Sequence, residues 1–93
     1  MEKRWYVYIL GCGDGTLYTG ITTDVQRRLA AHRCGRGAKY TRGRGPLTLL
    51  YQETVGDHPE ALRRERQIKA LTREEKQAMI QNQHCQFPES PQG

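Results

Sequence analysis

The residues best suited to chemistry crowd into one stretch, Trp5 to His32. Those 28 residues hold Tyr6, Tyr8, Tyr18, Arg28 and His32. So many tyrosines beside an arginine and a histidine in a small chain must pack well, react, or do both. A basic, glycine-rich run follows. It carries Arg33, Arg36, Lys39, Arg42 and Arg44 among Gly35, Gly37, Gly43 and Gly45, with no acidic residue from Val25 to Gln52. Glycines let backbone N–H groups approach an anion and the cations neutralise phosphates, so phosphate contact explains this run better than a solvated loop does. The spacing is not that of the G-x-x-x-x-G-K-[ST] phosphate loop. A lone carboxylate, Glu65, falls four residues after Ala61 and three before Ile68, in the middle of an apolar helical stripe. A charge there is expensive unless it is paired or holds a cation. A structural ion pair and a metal ligand both fit.

These residues need elements to position them. Trp5–Leu10 is apolar on both faces and rich in β-branched and aromatic residues, which predicts a central strand. Gly11–Gly15 predicts a loop, and Thr16–Thr22 a second strand. A symmetric closure sets Leu10 opposite Thr16, Tyr8 opposite Tyr18 and Tyr6 opposite Gly20. Strand alternation then puts Tyr6, Tyr8 and Tyr18 on one face. Two phenols side by side also describe an ordinary cross-strand aromatic pair. Thr23-Asp24-Val25-Gln26 has the form of a capping box, with Thr23 as N-cap, opening a helix to about Arg33. Val25 and Leu29 make its buried stripe. Arg28 and His32, four apart, share a face, with Arg27 turned to solvent. Leu47–Gln52 predicts a third strand. A second helix starts near Asp57–Glu60, with Pro59 in its first turn, and runs to Leu71. Thr72-Arg73-Glu74-Glu75 is another capping box, predicting a third helix from Arg73 to about Gln81 with Met79 and Ile80 inward. The predicted fold is α+β: a three-stranded antiparallel sheet flanked by helices, in the order β-β-α-β-α-α. One domain spans 1–81, with a disordered tail over 82–93.

Composition limits the alternatives. The chain has 93 residues, 35% of them hydrophobic, with a mean hydropathy of −0.85, so its core is small. A net charge of +5 and a pI near 9.4 favour a polyanionic partner, most simply nucleic acid. Cys12, Cys34 and Cys85 form no C-x-x-C pair, and with the histidines they match no standard zinc spacing. No secretory signal or membrane-spanning run is apparent, so reduced thiols and a cytoplasmic location are expected, with no membrane association.

The ordered set closely resembles the GIY-YIG nuclease domain, in its small stand-alone bacterial form. Tyr6-Val7-Tyr8 looks like the first motif and Tyr18-Thr19-Gly20 the second. Arg28 and His32 match the arginine and histidine of the family's first helix, and Glu65 its metal-binding glutamate. Tyr6 stands where the family has glycine, and Thr19 where it has isoleucine; both motif tyrosines are present. The resemblance implies cleavage of DNA, structured or damaged, with one divalent metal, Mg²⁺ or Mn²⁺, held by Glu65. It implies Tyr8 as proton acceptor from water, Tyr18 orienting, Arg28 stabilising phosphate charge and His32 supporting or relaying. Tyr6, Arg36, Lys39, Tyr40, Arg42, Arg44 and Lys69 are then expected to touch nucleic acid. No obligatory protein partner is evident. The alternative is a module that binds DNA or RNA without cutting it, accessory to a repair or ribosomal assembly.

Overall fold

A computed structural model describes residues 4–37, 43 and 45–85. Its elements are β1 (Trp5–Gly11), β2 (Leu17–Thr22), α1 (Val25–Arg33), β3 (Thr48–Val55), α2 (His58–Lys69) and α3 (Arg73–Cys85). The sheet is antiparallel with order β2-β1-β3, so the strand that is apolar on both faces lies in the centre.

Alternation along β1 builds two cores. Tyr8, Leu10 and Cys12 pack with Leu29 of α1 and with Leu47. Val7 and Ile9, on the other face, pack with Ile68 of α2 and Ile80 of α3, and Met79 and Tyr51 lean on this cluster. Burying each such aliphatic side chain is worth about 1.5–3 kcal/mol before conformational entropy is set against it. A basic side chain closes the first core, because Arg33 donates from Nε and Nη2 to the Leu47 carbonyl at 3.3 and 3.0 Å. That arginine is therefore committed to the fold, whereas the sequence grouped it with the phosphate-contact run.

The hairpin differs from the symmetric closure. Gly11 stays in β1 and pairs with Leu17, so Tyr8 faces Gly20, Leu10 faces Tyr18 and Tyr6 faces Thr22. The turn runs one residue later than expected. Cys12 N–H reaches the Thr16 carbonyl at 2.9 Å, and Asp14 Oδ1 accepts from Thr16 N–H at 3.1 Å and its hydroxyl at 2.7 Å. The slip is two residues, an even number, so Tyr6, Tyr8 and Tyr18 keep their common face.

Helix starts follow local side chains. The N-cap of α1 is Asp24, not Thr23; its Oδ1 accepts from Arg27 N–H at 3.1 Å. The Thr23 assignment fails because a carboxylate one position later caps more effectively and favours the positive end of the helix. Asp57 caps α2 in the same way. The box at α3 is reciprocal: Thr72 N–H donates to Glu75 Oε1 at 2.8 Å, and Glu75 N–H to Thr72 Oγ1 at 3.1 Å. This last helix continues four residues past Gln81, to Cys85, into the segment expected to be disordered; the remainder of that tail lies outside the described residues.

Candidate active site

The site grows from Tyr8. Its ring crosses the neighbouring strand at Gly20, where an added Cβ would lie 2.5 Å from the phenol oxygen and 2.7 Å from Cζ. Only a residue without a side chain leaves this passage open. At its end the Tyr8 hydroxyl meets Nε2 of the buried His32 at 2.9 Å. The same ring packs with Tyr18 and His32 at centroid distances of 6.4 and 6.0 Å, and Tyr18 meets His32 edge-on at 5.3 Å. Gly37 closes over the far side of the imidazole, and a Cβ there would overlap its Nδ1.

Burial pushes the Tyr8 phenol up to about 12. Arg28 opposes this, through hydrogen bonding to the phenol oxygen and through its charge, while Tyr18 and Glu65 add to the rise. The net result is a protonated phenol at neutral pH. The guanidinium does not favour a phenolate in the protein alone, because burial outweighs it. His32 moves the other way: burial and then the Arg28 charge hold it below its ordinary value of 6.5. It is a neutral imidazole at pH 7, with a ring nitrogen able to accept a proton.

Glu65 belongs to a different layer. Its helix α2 packs on the sheet face opposite α1, through Ala61 and Ile68 on either side of it. Tyr8 points across β2, the edge strand against which α2 also lies. The carboxylate is thus near enough for its charge to be felt at the phenol. Lys69, one turn on, pairs with Glu65 at 3.3 Å. Among the described residues no group of three or more His, Cys, Asp or Glu side chains gathers that could hold a metal ion. Both readings of this residue therefore have a footing: an ion pair is present, and the carboxylate's charge is felt at the Tyr8 phenol.

Beside Arg28 lies a cleft of about 730 Å³, lined by Arg4, Tyr6, Thr22, Thr23, Arg27 and Arg28 among others. Tyr6 is half-buried in its wall, and Arg36 is exposed beyond the end of α1. Lys39, Tyr40, Arg42 and Arg44 lie outside the described residues. Cys12 is buried and Cys34 exposed, both as free thiols.

Residues 4–78 match the model of the GIY-YIG catalytic domain. The chain belongs to the GIY-YIG nuclease family. A UPF0213 protein of Streptococcus sanguinis is 56% identical over 80 residues, covering 86% of this chain and 92% of its own length. One from Halobacterium salinarum is 57% identical over 75 residues, covering 81% of this chain and 97% of its own length. The solution structure of a UPF0213 protein from Bacillus halodurans is 49% identical, with a TM-score of 0.55 and coverage of 84% and 83%. That of a protein from E. faecalis is 38% identical, with a TM-score of 0.62 and coverage of 90% of both chains. The β-β-α-β-α-α arrangement is thus shared with solved relatives, and GIY-YIG membership carries a nuclease-like function and nucleic-acid binding.

Sequence reasoning missed several polar residues. Arg4 was not singled out, and Arg27 was turned to solvent; both are exposed, yet they line the cleft beside Arg28. Glu53 also escaped notice. It accepts from Arg64 Nε at 2.7 Å and from the Tyr51 hydroxyl, tying β3 to α2. Only the doublet Arg27-Arg28 beside a capped helix start hinted at the cleft. In the second motif, Thr19 replaces an apolar residue and leaves a buried hydroxyl with no hydrogen-bond partner among the described residues.

Proposed function

We propose that the protein is a metal-dependent phosphodiesterase that cuts DNA, with structured or damaged DNA as its target. The observation that carries the reading is the contact between the Tyr8 hydroxyl and His32 Nε2, on a phenol that also feels Arg28 and Glu65. The Tyr8 ring packs in the first core, but its hydroxyl end is engaged by a buried imidazole and feels charges from both α1 and α2, which packing alone does not require.

The proton path follows from the two shifted groups. A phenol held near 12 is a poor base by itself, and the adjacent imidazole is neutral. As the Tyr8 oxygen takes a proton from the attacking water, its own proton passes to His32 Nε2. The water oxygen bonds to phosphorus and the bond to the 3′ oxygen breaks; that oxygen leaves with the bonding pair and takes a proton from solvent, giving 5′-phosphate and 3′-hydroxyl ends. Arg28 donates hydrogen bonds to the non-bridging oxygens as charge builds there. Tyr18 stands edge-on to His32, limits the ring's motion and orients the water. Glu65 is the residue that would hold Mg²⁺ or Mn²⁺, displacing Lys69 from its carboxylate. Bound there, the ion would supply stabilisation of charge on the leaving oxygen. Lys69, no longer paired, would be available to the flanking backbone.

The test is cleavage of labelled branched, nicked and single-stranded DNA with Mn²⁺, with and without chelator. Glu65→Ala is expected to abolish metal-dependent cleavage with the fold retained, since it removes only one carboxylate from a partly exposed ion pair. Arg28→Ala is expected to slow turnover by about a hundredfold or more, the scale of losing one oxyanion donor. Full activity in Glu65→Ala would remove the metal assignment.

A further inference from the structure

The cleft beside Arg28 holds more positive charge than one phosphate needs. Arg4 and Arg27 line it together with Arg28, and neither Arg4 nor Arg27 has a carboxylate partner among the described residues. The acid in its wall, Asp24, is turned to the helix start, where its Oδ1 accepts from Arg27 N–H. Unpaired guanidinium groups held in a concave, polar surface are a site for a second anion next to the first. Tyr6 adds a different element. It lines both this cleft and an adjoining depression of about 250 Å³ that also contains Gln26 and Gln52. A half-buried ring standing between a cationic recess and an amide-lined one can carry a base on its face. The Gln26 amide beside it suits the donors and acceptors of a base edge.

We infer that this cleft is a subsite for an unpaired nucleotide flanking the cut phosphate, with Arg4 and Arg27 on its backbone and its base stacked on Tyr6. The inference rests on the nuclease reading above and names the form of its substrate: DNA with a single-stranded flap or gap at the cleavage point, in preference to continuous duplex. It also gives a use to the tyrosine that stands in place of the family's motif glycine.

Binding without chemistry tests it. Affinity is measured by fluorescence anisotropy in chelator, on a hairpin DNA with a three-nucleotide flap and on a paired duplex of equal length, over a range of salt. The wild type is expected to favour the flap. Tyr6→Ala is expected to erase that preference by losing about tenfold in affinity for the flap, and Tyr6→Phe, which keeps the ring, to retain it. Arg4→Ala with Arg27→Ala is expected to weaken binding about tenfold and to flatten the salt dependence by between one and two phosphate contacts. A flap preference that survives Tyr6→Ala, or a salt slope unmoved by the double arginine change, would overturn the inference. Absence of cleavage by the wild type counts against the nuclease reading alone, since the binding differences are read without metal. Wild-type cleavage with equal binding of flap and duplex counts against the subsite alone.

Discussion

A missing side chain and two shifted protons define the site at the scale of single residues. Gly20 is required because the Tyr8 ring occupies the space a Cβ would take, with Tyr18 Cε2 only 3.1 Å away. Tyr8 cannot retreat easily, because its hydroxyl is engaged with a buried imidazole that Gly37 covers. Gly20→Ala should therefore destabilise the fold by about 1–3 kcal/mol, the usual penalty for overpacking. It should also lower cleavage at temperatures where the variant remains folded. Thermal unfolding and activity measured together check this; a variant as stable and active as the parent would mean the ring moves freely.

Between residues and the whole, each element is held by caps and cross-links that differ in how plainly the sequence announces them. The box at α3 was readable because Thr72 and Glu75 have no competitor nearby, and both hydrogen bonds form. Thr72→Ala should destabilise the protein by about 1 kcal/mol through loss of that cap. Denaturant titration measures it, and a change under a few tenths would show that α3 is held by Ile80 alone. At α1 the same pattern misled, since Thr23 and Asp24 are adjacent and the carboxylate took the position. The strand order was legible because β1 is apolar on both faces. The register was not, since five turn residues with three glycines close in more than one way. Face parity survived only because the slip was even. Among candidate site residues, the common face of Arg28 and His32 and the place of Glu65 between Ala61 and Ile68 were legible from helical spacing. Arg4 was not, because one exposed arginine ahead of a strand carries no periodicity. Nor were Glu53 and Arg64, which meet only once β3 and α2 are packed.

The assembled molecule carries the imidazole of α1 on one face of the sheet and the carboxylate of α2 on the other, and both act on the Tyr8 phenol. Its stability should depend on pH at both ends. His32 has a lower pKa folded than unfolded, so below about 6.5 the unfolded chain binds more protons and stability falls as the solution is acidified. Tyr8 and Tyr51 are both raised to about 12, so their contribution is complete below 10 and is lost between 10 and 12. Denaturation midpoints across pH should trace a plateau at neutral pH with both flanks descending. Cleavage should share the acid flank, with a midpoint below 6.5, because a protonated His32 cannot accept from Tyr8. A rate that climbs on acidification would show that the imidazole acts as an acid instead.

One removal bears most directly on the claim that the phenol, imidazole, guanidinium and carboxylate form a working site. Tyr8→Phe keeps the ring over Gly20 and deletes only the hydroxyl that meets His32. With Mn²⁺ and flap DNA, the account predicts single-turnover cleavage by the wild type, and at least a hundredfold slower cleavage by a folded Tyr8→Phe protein. Cleavage by that variant at the parental rate would contradict it.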